Sequence, residues 1–245
     1  MNKQKKTTCT PRPIASTFQI VEAYKTVRTN LLFALAAGDN KVVVATSAEP
    51  GAGKSTTVAN LAITVAQTGA KVLLIDADMR RPSQHKTFHL KKRNGLSLYL
   101  AGMLTMEEII HPEVVAGVDL ITSGSIPPNP SELLGSEKMT ELLATVREQY
   151  DYVFIDTPPI GVVSDALVFG NNIAGILLIC RQRMTNYEEL STAVKNVRAV
   201  DQTLLGVIIT DMKQENRIYK RQNYGRYYKR YDYSYSTETT TTPEQ

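Results

Sequence analysis

The segment Ala48-Glu-Pro-Gly-Ala-Gly53-Lys54-Ser55-Thr56 sets two glycines, a lysine and a pair of hydroxyls beside one another, and the chemistry that needs this set is the handling of phosphate. Glycines let backbone N–H groups close around phosphate oxygens, and the start of a helix adds its positive dipole end. Lysine reaches the terminal phosphates, and the serine hydroxyl ligates Mg²⁺. Pro50, Gly51, Ala52, Gly53, Lys54, Ser55 and Thr56 are therefore the candidate nucleotide-binding residues. Ala48 stands where the general pattern has its first glycine, but the glycines nearest Lys54 are present.

Two apolar runs end in acids. One reads Val72-Leu-Leu-Ile-Asp76-Ala-Asp78-Met-Arg80, the other Tyr152-Val-Phe-Ile-Asp156-Thr-Pro-Pro159. A carboxylate at a strand end beside a phosphate loop holds Mg²⁺ through its water shell, the Walker B position for Asp156. Asp76 and Asp78 lie two apart, on opposite sides of a continuing strand, so their roles differ. A strand-end aspartate also caps a following helix; the nearby loop favours the metal. His85, His89 and His111 lack metal-ligand spacing and read as surface residues.

These groups must be positioned by a larger frame. Ile20, Tyr24, Val27, Leu31 and Leu35 recur at helical spacing until Gly38. Strands are expected at 42–46, 72–75, 118–121, 153–155, 176–180 and 205–209, with helices at 55–67, near 131–149 and near 186–200. Thr105 with Glu108, and Asn186 with Glu189, have capping-box spacing, and Pro127 to Pro130 reads as a rigid turn before a helix. Continuously apolar strands alternating with helices give an α/β fold: a P-loop NTPase with a mostly parallel sheet covered on both faces. Its ligand sits beyond the carboxyl ends of the strands. The expected division is a polar basic leader at 1–15, one domain at 16–212 and a disordered tyrosine-rich tail at 213–245.

With 245 residues and 42% hydrophobic content the chain can bury one substantial core. Its apolar runs are shorter than the roughly 20 residues that span a bilayer, and no signal-like segment follows Met1, so a cytoplasmic protein is expected. Cys9 and Cys180 make no disulfide framework. The net charge of +4 is uneven. Lys3, Lys5, Lys6 and Arg12 open the chain without an acid, and seven basic residues between 213 and 232 face only Glu215 and Asp232, which leaves the middle acidic. Basic ends are either solvated or drawn to an anionic membrane surface.

The loop, the segment from Asp76 to Arg80, the strand ending at Asp156 and a cluster formed by Tyr219, Tyr224, Tyr227, Tyr228, Tyr231, Tyr233 and Tyr235 together resemble the bacterial tyrosine kinases. The likeness is to the cytoplasmic, separate-chain form tied to capsule and exopolysaccharide synthesis, and it runs from about Ile20 to Tyr235. The resemblance implies ATP and Mg²⁺ as cofactors and autophosphorylation of the tail tyrosines within a ring-shaped homo-oligomer. It further implies activation by the cytoplasmic end of a membrane-bound polysaccharide co-polymerase, reversal by a cognate phosphotyrosine phosphatase, and a peripheral position at the inner membrane face. By the same resemblance Asp76 is the base for the tyrosine hydroxyl, Lys54 is catalytic, and Ser55, Asp78 and Asp156 attend the metal. The family's helical Glu-x-x-Arg-x-x-Arg interface motif reads here Glu22, Lys25 and Arg28; lysine keeps the charge and loses the planar fork. An ordinary solvated helix face is the alternative for these three.

Two other readings stand beside the kinase. Partitioning and septum-positioning ATPases share the loop but carry an early second lysine, where this chain has Glu49 followed by Pro50. A nucleic-acid-binding tail would use the interleaved tyrosines, lysines and arginines for stacking and charge. Neither rival predicts phosphotyrosine, and no nucleic-acid partner is expected.

Overall fold

The computed structural model describes residues 18–91 and 94–212; the expected leader and tyrosine tail lie outside them. Seven strands form one sheet: β1 (Val42–Ser47), β2 (Val72–Asp76), β3 (Ile110–Val115), β4 (Val118–Ile121), β5 (Tyr152–Asp156), β6 (Gly175–Arg181) and β7 (Leu204–Thr210). Their order is β3-β4-β2-β5-β1-β6-β7, and every pairing is parallel except β3 with β4. Six of these were expected. The seventh, β3, runs through His111, Pro112 and Glu113, with a register shift between His111 and Val115. Proline has no N–H for a ladder and is tolerated on an edge such as this one.

Successive side chains of each strand enter opposite apolar layers. Val42 and Val44 of β1 join Leu73, Ile75, Val153 and Ile155 on one face, whereas Val43 and Ala45 join Leu74 and Phe154 on the other. The first face is covered by α7 (Glu137–Gln149), through Leu142 and Val146, and by α8 (Tyr187–Ala199), through Ala193 and Val197. The second is covered by α1 (Phe18–Leu35), through Leu31 and Leu35, and by α2 (Lys54–Ala66), through Val58, Leu61 and Val65. Burial on both faces is the physical reason these strands are continuously apolar.

Both capping boxes are formed: Thr105 opens α5 (Met106–Ile109) and Asn186 opens α8. The expected helix near 131–149 is instead two helices, α6 (Pro130–Leu134) and α7. Gly135 ends the first, and Ser136 Oγ accepts the Met139 N–H to begin the second. Pro130 occupies the first turn of α6, where its missing N–H costs nothing. Two short helices, α3 (Gln84–Thr87) and α4 (Leu96–Leu100), follow β2. Among the described residues no helix is long and apolar enough to cross a membrane.

Candidate active site

The parallel strands β1, β2 and β5 are central, and their carboxyl ends bring together segments distant in sequence. Between β1 and α2 the loop makes its turn with Gly51 and Gly53 both at φ 85°, in the left-handed region that glycine enters without a Cβ penalty. Gly53 caps α2, and Thr57 N–H returns to Gly53 O at 2.9 Å. The loop is held from two sides. Thr210 Oγ1, at the end of β7, donates to Ala52 O at 2.8 Å. On the other side the turn after β5 presses on the loop's start, where a Cβ on Gly161 would lie 2.2 Å from Ala48 O.

Pro50, Gly51, Gly53, Lys54, Ser55 and Thr56 line a cavity of about 530 Å³, which is closed by Asp78, Arg80, Arg81 and Ser83 from the β2 side and by Pro158, Pro159, Val162 and Val163 from the β5 side. Ala52 is fully buried beneath it. Lys54 Nζ lies 2.5 Å from Asp156 Oδ1, 3.8 Å from Asp78 Oδ2 and 3.2 Å from Ser55 Oγ. One buried ammonium thus gathers the carboxylate expected at the Walker B position, a carboxylate of the cavity wall and the candidate metal-binding hydroxyl.

The two acids of the β2 segment differ in position. Asp76, at the strand end, is fully buried: Oδ1 accepts the Asp78 N–H at 3.2 Å, and Oδ2 accepts the N–H groups of Ser83 and Gln84 at 3.1 and 2.9 Å. Burial, reinforced by the nearby Asp156 charge, raises its pKa to about 8 against the opposing backbone hydrogen bonds and Lys54. Asp78 lies on the cavity wall, and its Oδ1 accepts the Arg81 N–H at 2.8 Å.

Three sets of contacts had no signal in the sequence. Gln84 is fully buried and donates from Nε2 to Asp156 Oδ2 at 2.7 Å and to Ser55 O at 3.0 Å. Arg80 forms a two-pronged pair with the buried Asp165, Nε to Oδ2 at 2.9 Å and Nη2 to Oδ1 at 3.1 Å, and Ser131 Oγ donates to the same acid at 2.5 Å. Thr185 donates to Glu49, at the position where the partitioning ATPases carry their early lysine. The expected surface placement holds for His89 alone; His85 is buried and His111 half-buried, because α3 packs against α2 and β3 joins the sheet.

The donor set fits Mg²⁺ with nucleotide. Among the described residues no three His, Cys, Asp or Glu side chains form a cation cage. Mg²⁺ in phosphoryl-transfer sites takes only one or two protein oxygens and completes its octahedron with water and phosphate, and Ser55, Asp78 and Asp156 offer such oxygens around Lys54. The candidate interface residues lie elsewhere, on α1. Lys25 Nζ pairs with Glu22 Oε1 at 2.7 Å, whereas Arg28 Nη1 donates to Thr64 O on α2 at 2.8 Å.

A phosphate loop feeding a helix, with strand-end acids on a parallel sheet, defines a P-loop ATPase-type domain, and residues 40–210 match the AAA domain family. Within that class, tyrosine-protein kinase YwqD of Bacillus subtilis (strain 168) is 43% identical over 206 residues, covering 84% of this chain and 85% of that protein. The putative tyrosine-protein kinase EpsB of Ralstonia solanacearum is 39% identical over 87% of this chain, which spans 28% of that longer protein. The solved kinase domain of Escherichia coli tyrosine kinase ETK superposes with a TM-score of 0.74 at 37% identity, over 80% of this chain and 78% of that one. The chain belongs to the bacterial tyrosine kinase family. The septum site-determining protein MinD of Pyrococcus horikoshii OT3, at 21% identity and a TM-score of 0.59, shares the fold alone.

Proposed function

We propose that this tyrosine kinase transfers the γ-phosphoryl group of ATP to the tyrosines of its own 213–245 segment and thereby regulates capsule or exopolysaccharide synthesis and export. One observation carries the choice of acceptor. Thr210 Oγ1 is bonded to the nucleotide loop at Ala52 O, 2.8 Å away, so β7 ends beside the phosphate loop, and the segment carrying Tyr219, Tyr224, Tyr227, Tyr228, Tyr231, Tyr233 and Tyr235 follows it in sequence. Twenty extended residues reach about 70 Å, enough for the chain's own site or a neighbour's. The polysaccharide role is supported by relatives named EpsB and by one from a Klebsiella pneumoniae cps region.

In this reading Lys54 and the loop N–H groups hold the triphosphate, with Ser55, Asp78 and Asp156 attending Mg²⁺. The bound Mg²⁺ would neutralise charge developing on the transferred group. A tyrosine hydroxyl, with an unperturbed pKa near 10, needs an acceptor for its proton. Asp76 is the first candidate for that role, at the end of β2 and in register with Asp156; burial and the Asp156 charge favour its protonated form, so the role requires the positive charges of Lys54 and of bound Mg²⁺ to draw it back to the carboxylate. Asp78 is the second candidate, favoured by its place on the cavity wall where Asp76 has none. Loss of kcat with retained Mg²⁺-dependent nucleotide binding in Asp76→Asn, against loss of both in Asp78→Asn, assigns the base to Asp76.

A ring built through Glu22, Lys25 and Arg28, a membrane-bound polysaccharide co-polymerase as activator, a phosphatase that resets the tail and a peripheral position at the membrane complete the proposal. Incubation of purified protein with ATP and Mg²⁺, followed by mass-spectrometric mapping, is expected to place phosphotyrosine within 213–245. Phosphate confined to tyrosines before Asp211, or none at all, would overturn it.

A further inference from the structure

Gln84 touches three parts of the phosphate site through its backbone and its side chain. Its backbone N–H donates to Asp76 Oδ2 at 2.9 Å, and the two hydrogens of Nε2 go to Asp156 Oδ2 at 2.7 Å and to Ser55 O at 3.0 Å. It thus ties the end of β2, the end of β5 and the first turn of α2. The residue is fully buried and does not line the cavity, so it does not meet substrate.

A carboxylate can turn about its terminal torsion, and its two oxygens are then equivalent. Gln84 removes that equivalence by holding Oδ2, which leaves Oδ1 directed at Lys54 Nζ, 2.5 Å away. The same amide fixes the carbonyl of Ser55, whose hydroxyl lies 3.2 Å from Lys54 Nζ. Packing alone would not call for a glutamine here. Its Oε1 is buried without a hydrogen-bond partner among the described residues, an arrangement that an apolar side chain of equal length would avoid.

We infer that Gln84 is a positioning residue that orients Asp156 and Ser55 as a pair toward the nucleotide's Mg²⁺. The inference rests on the nucleotide and metal reading above and adds to it a residue that acts through two others. Partners of this kind commonly change metal affinity by about 10–100-fold when removed.

Gln84→Met keeps the length and volume of the side chain and its backbone N–H while deleting the amide. A fluorescent ATP analogue is titrated into the full chain with and without Mg²⁺, and the ratio of the two affinities is compared between wild type and variant. Only folded protein binds in either arm, so partial unfolding cancels from the ratio. The Mg²⁺-dependent gain is expected to fall at least about tenfold in Gln84→Met, with Mg²⁺-free affinity within about twofold of wild type. In phosphorylation assays the Mg²⁺ concentration for half-maximal rate is expected to rise by a similar factor, while kcat at saturating Mg²⁺ changes less. A Gln84→Met protein that keeps the wild-type gain overturns the role of Gln84 alone. A wild type without any Mg²⁺ gain overturns the metal reading, and the role of Gln84 with it.

Discussion

Two lysine–carboxylate pairs in this molecule have almost the same separation and opposite significance. Lys54 and Asp156 lie 2.5 Å apart with side-chain exposures of 7% and 0%; Lys25 and Glu22 lie 2.7 Å apart with exposures of 37% and 41%. On α1 the charges stay in water, and the pair is worth about 0–1 kcal/mol. At the carboxyl edge of the sheet, neither charge is well solvated. There each group depends on its partner, and removing one leaves the other buried and uncompensated. Distance makes these pairs look alike, and burial separates them. The buried pair also stands among Asp76, Asp78 and Gln84, so that a change in one member is felt by the rest.

The strongest way to break the contrast is Lys54→Met. Phosphorylation is expected to fall at least about 10²–10³-fold, the scale for loss of one preorganised electrostatic contact. Lys54 is not an exposed loop lysine. The structure shows it buried against Asp156, so the variant is also expected to lose about 3–5 kcal/mol in denaturant unfolding near neutral pH. Unchanged stability would show that water reaches Asp156 freely.

A smaller effect is expected from Gly161→Ala, which leaves every charge in place. The added Cβ would meet Ala48 O at 2.2 Å, and backbone must shift to admit it, at about 1–3 kcal/mol. Nucleotide affinity is expected to weaken with it, because the displaced segment begins the phosphate loop. Unaltered binding and melting temperature would show that this contact does not shape the loop.

The titration of Asp76 sharpens the comparison further. Its native pKa is raised from 3.8 to about 8, so between those values the folded state holds a proton that the unfolded state has released. Stability from this group is therefore full below about pH 4 and lost as pH rises toward 8. In buffer without nucleotide or divalent cation, the melting temperature of Asp76→Asn minus that of wild type is expected to grow from about pH 5 to pH 8 and then level off. A difference independent of pH would show that Asp76 titrates normally.

The smallest effect belongs to the exposed pair. Lys25→Ala is expected to change unfolding free energy by less than about 0.5 kcal/mol and to leave nucleotide binding intact. If α1 serves as a subunit interface, the change appears in sedimentation as a smaller assembly.

The same contrast explains which parts of the molecule were legible in the sequence. The phosphate loop and the aspartates closing β2 and β5 announce themselves, because strand ends and glycine turns are local events with local signatures. Six strands could be read because both faces of the sheet are apolar. Pro112 hides the edge strand β3 by interrupting its pattern, and Gly135 with Ser136 change only two residues of an otherwise helical run near 131–149, too little to mark the break between α6 and α7. Gln84 and Asp165 carry no local mark. Their partners lie 72 and 85 residues away, and only the parallel topology brings them together. The tyrosine cluster lies outside the described residues, so its part in the chemistry rests on sequence and on where β7 ends.

The strand order has a consequence for synthesis. β1 is flanked in the finished sheet by β5 and β6, and Lys54 is made 102 residues before Asp156. At about 5–20 residues per second, a nascent chain holds Val42 to Ala45 without their neighbours for about 5–20 seconds, and the phosphate loop for as long without its acid. Such delayed non-local pairing folds slowly and leaves apolar strands exposed in the meantime. Chaperone supply during translation is therefore expected to limit the yield of active enzyme more than the stability of the completed domain does.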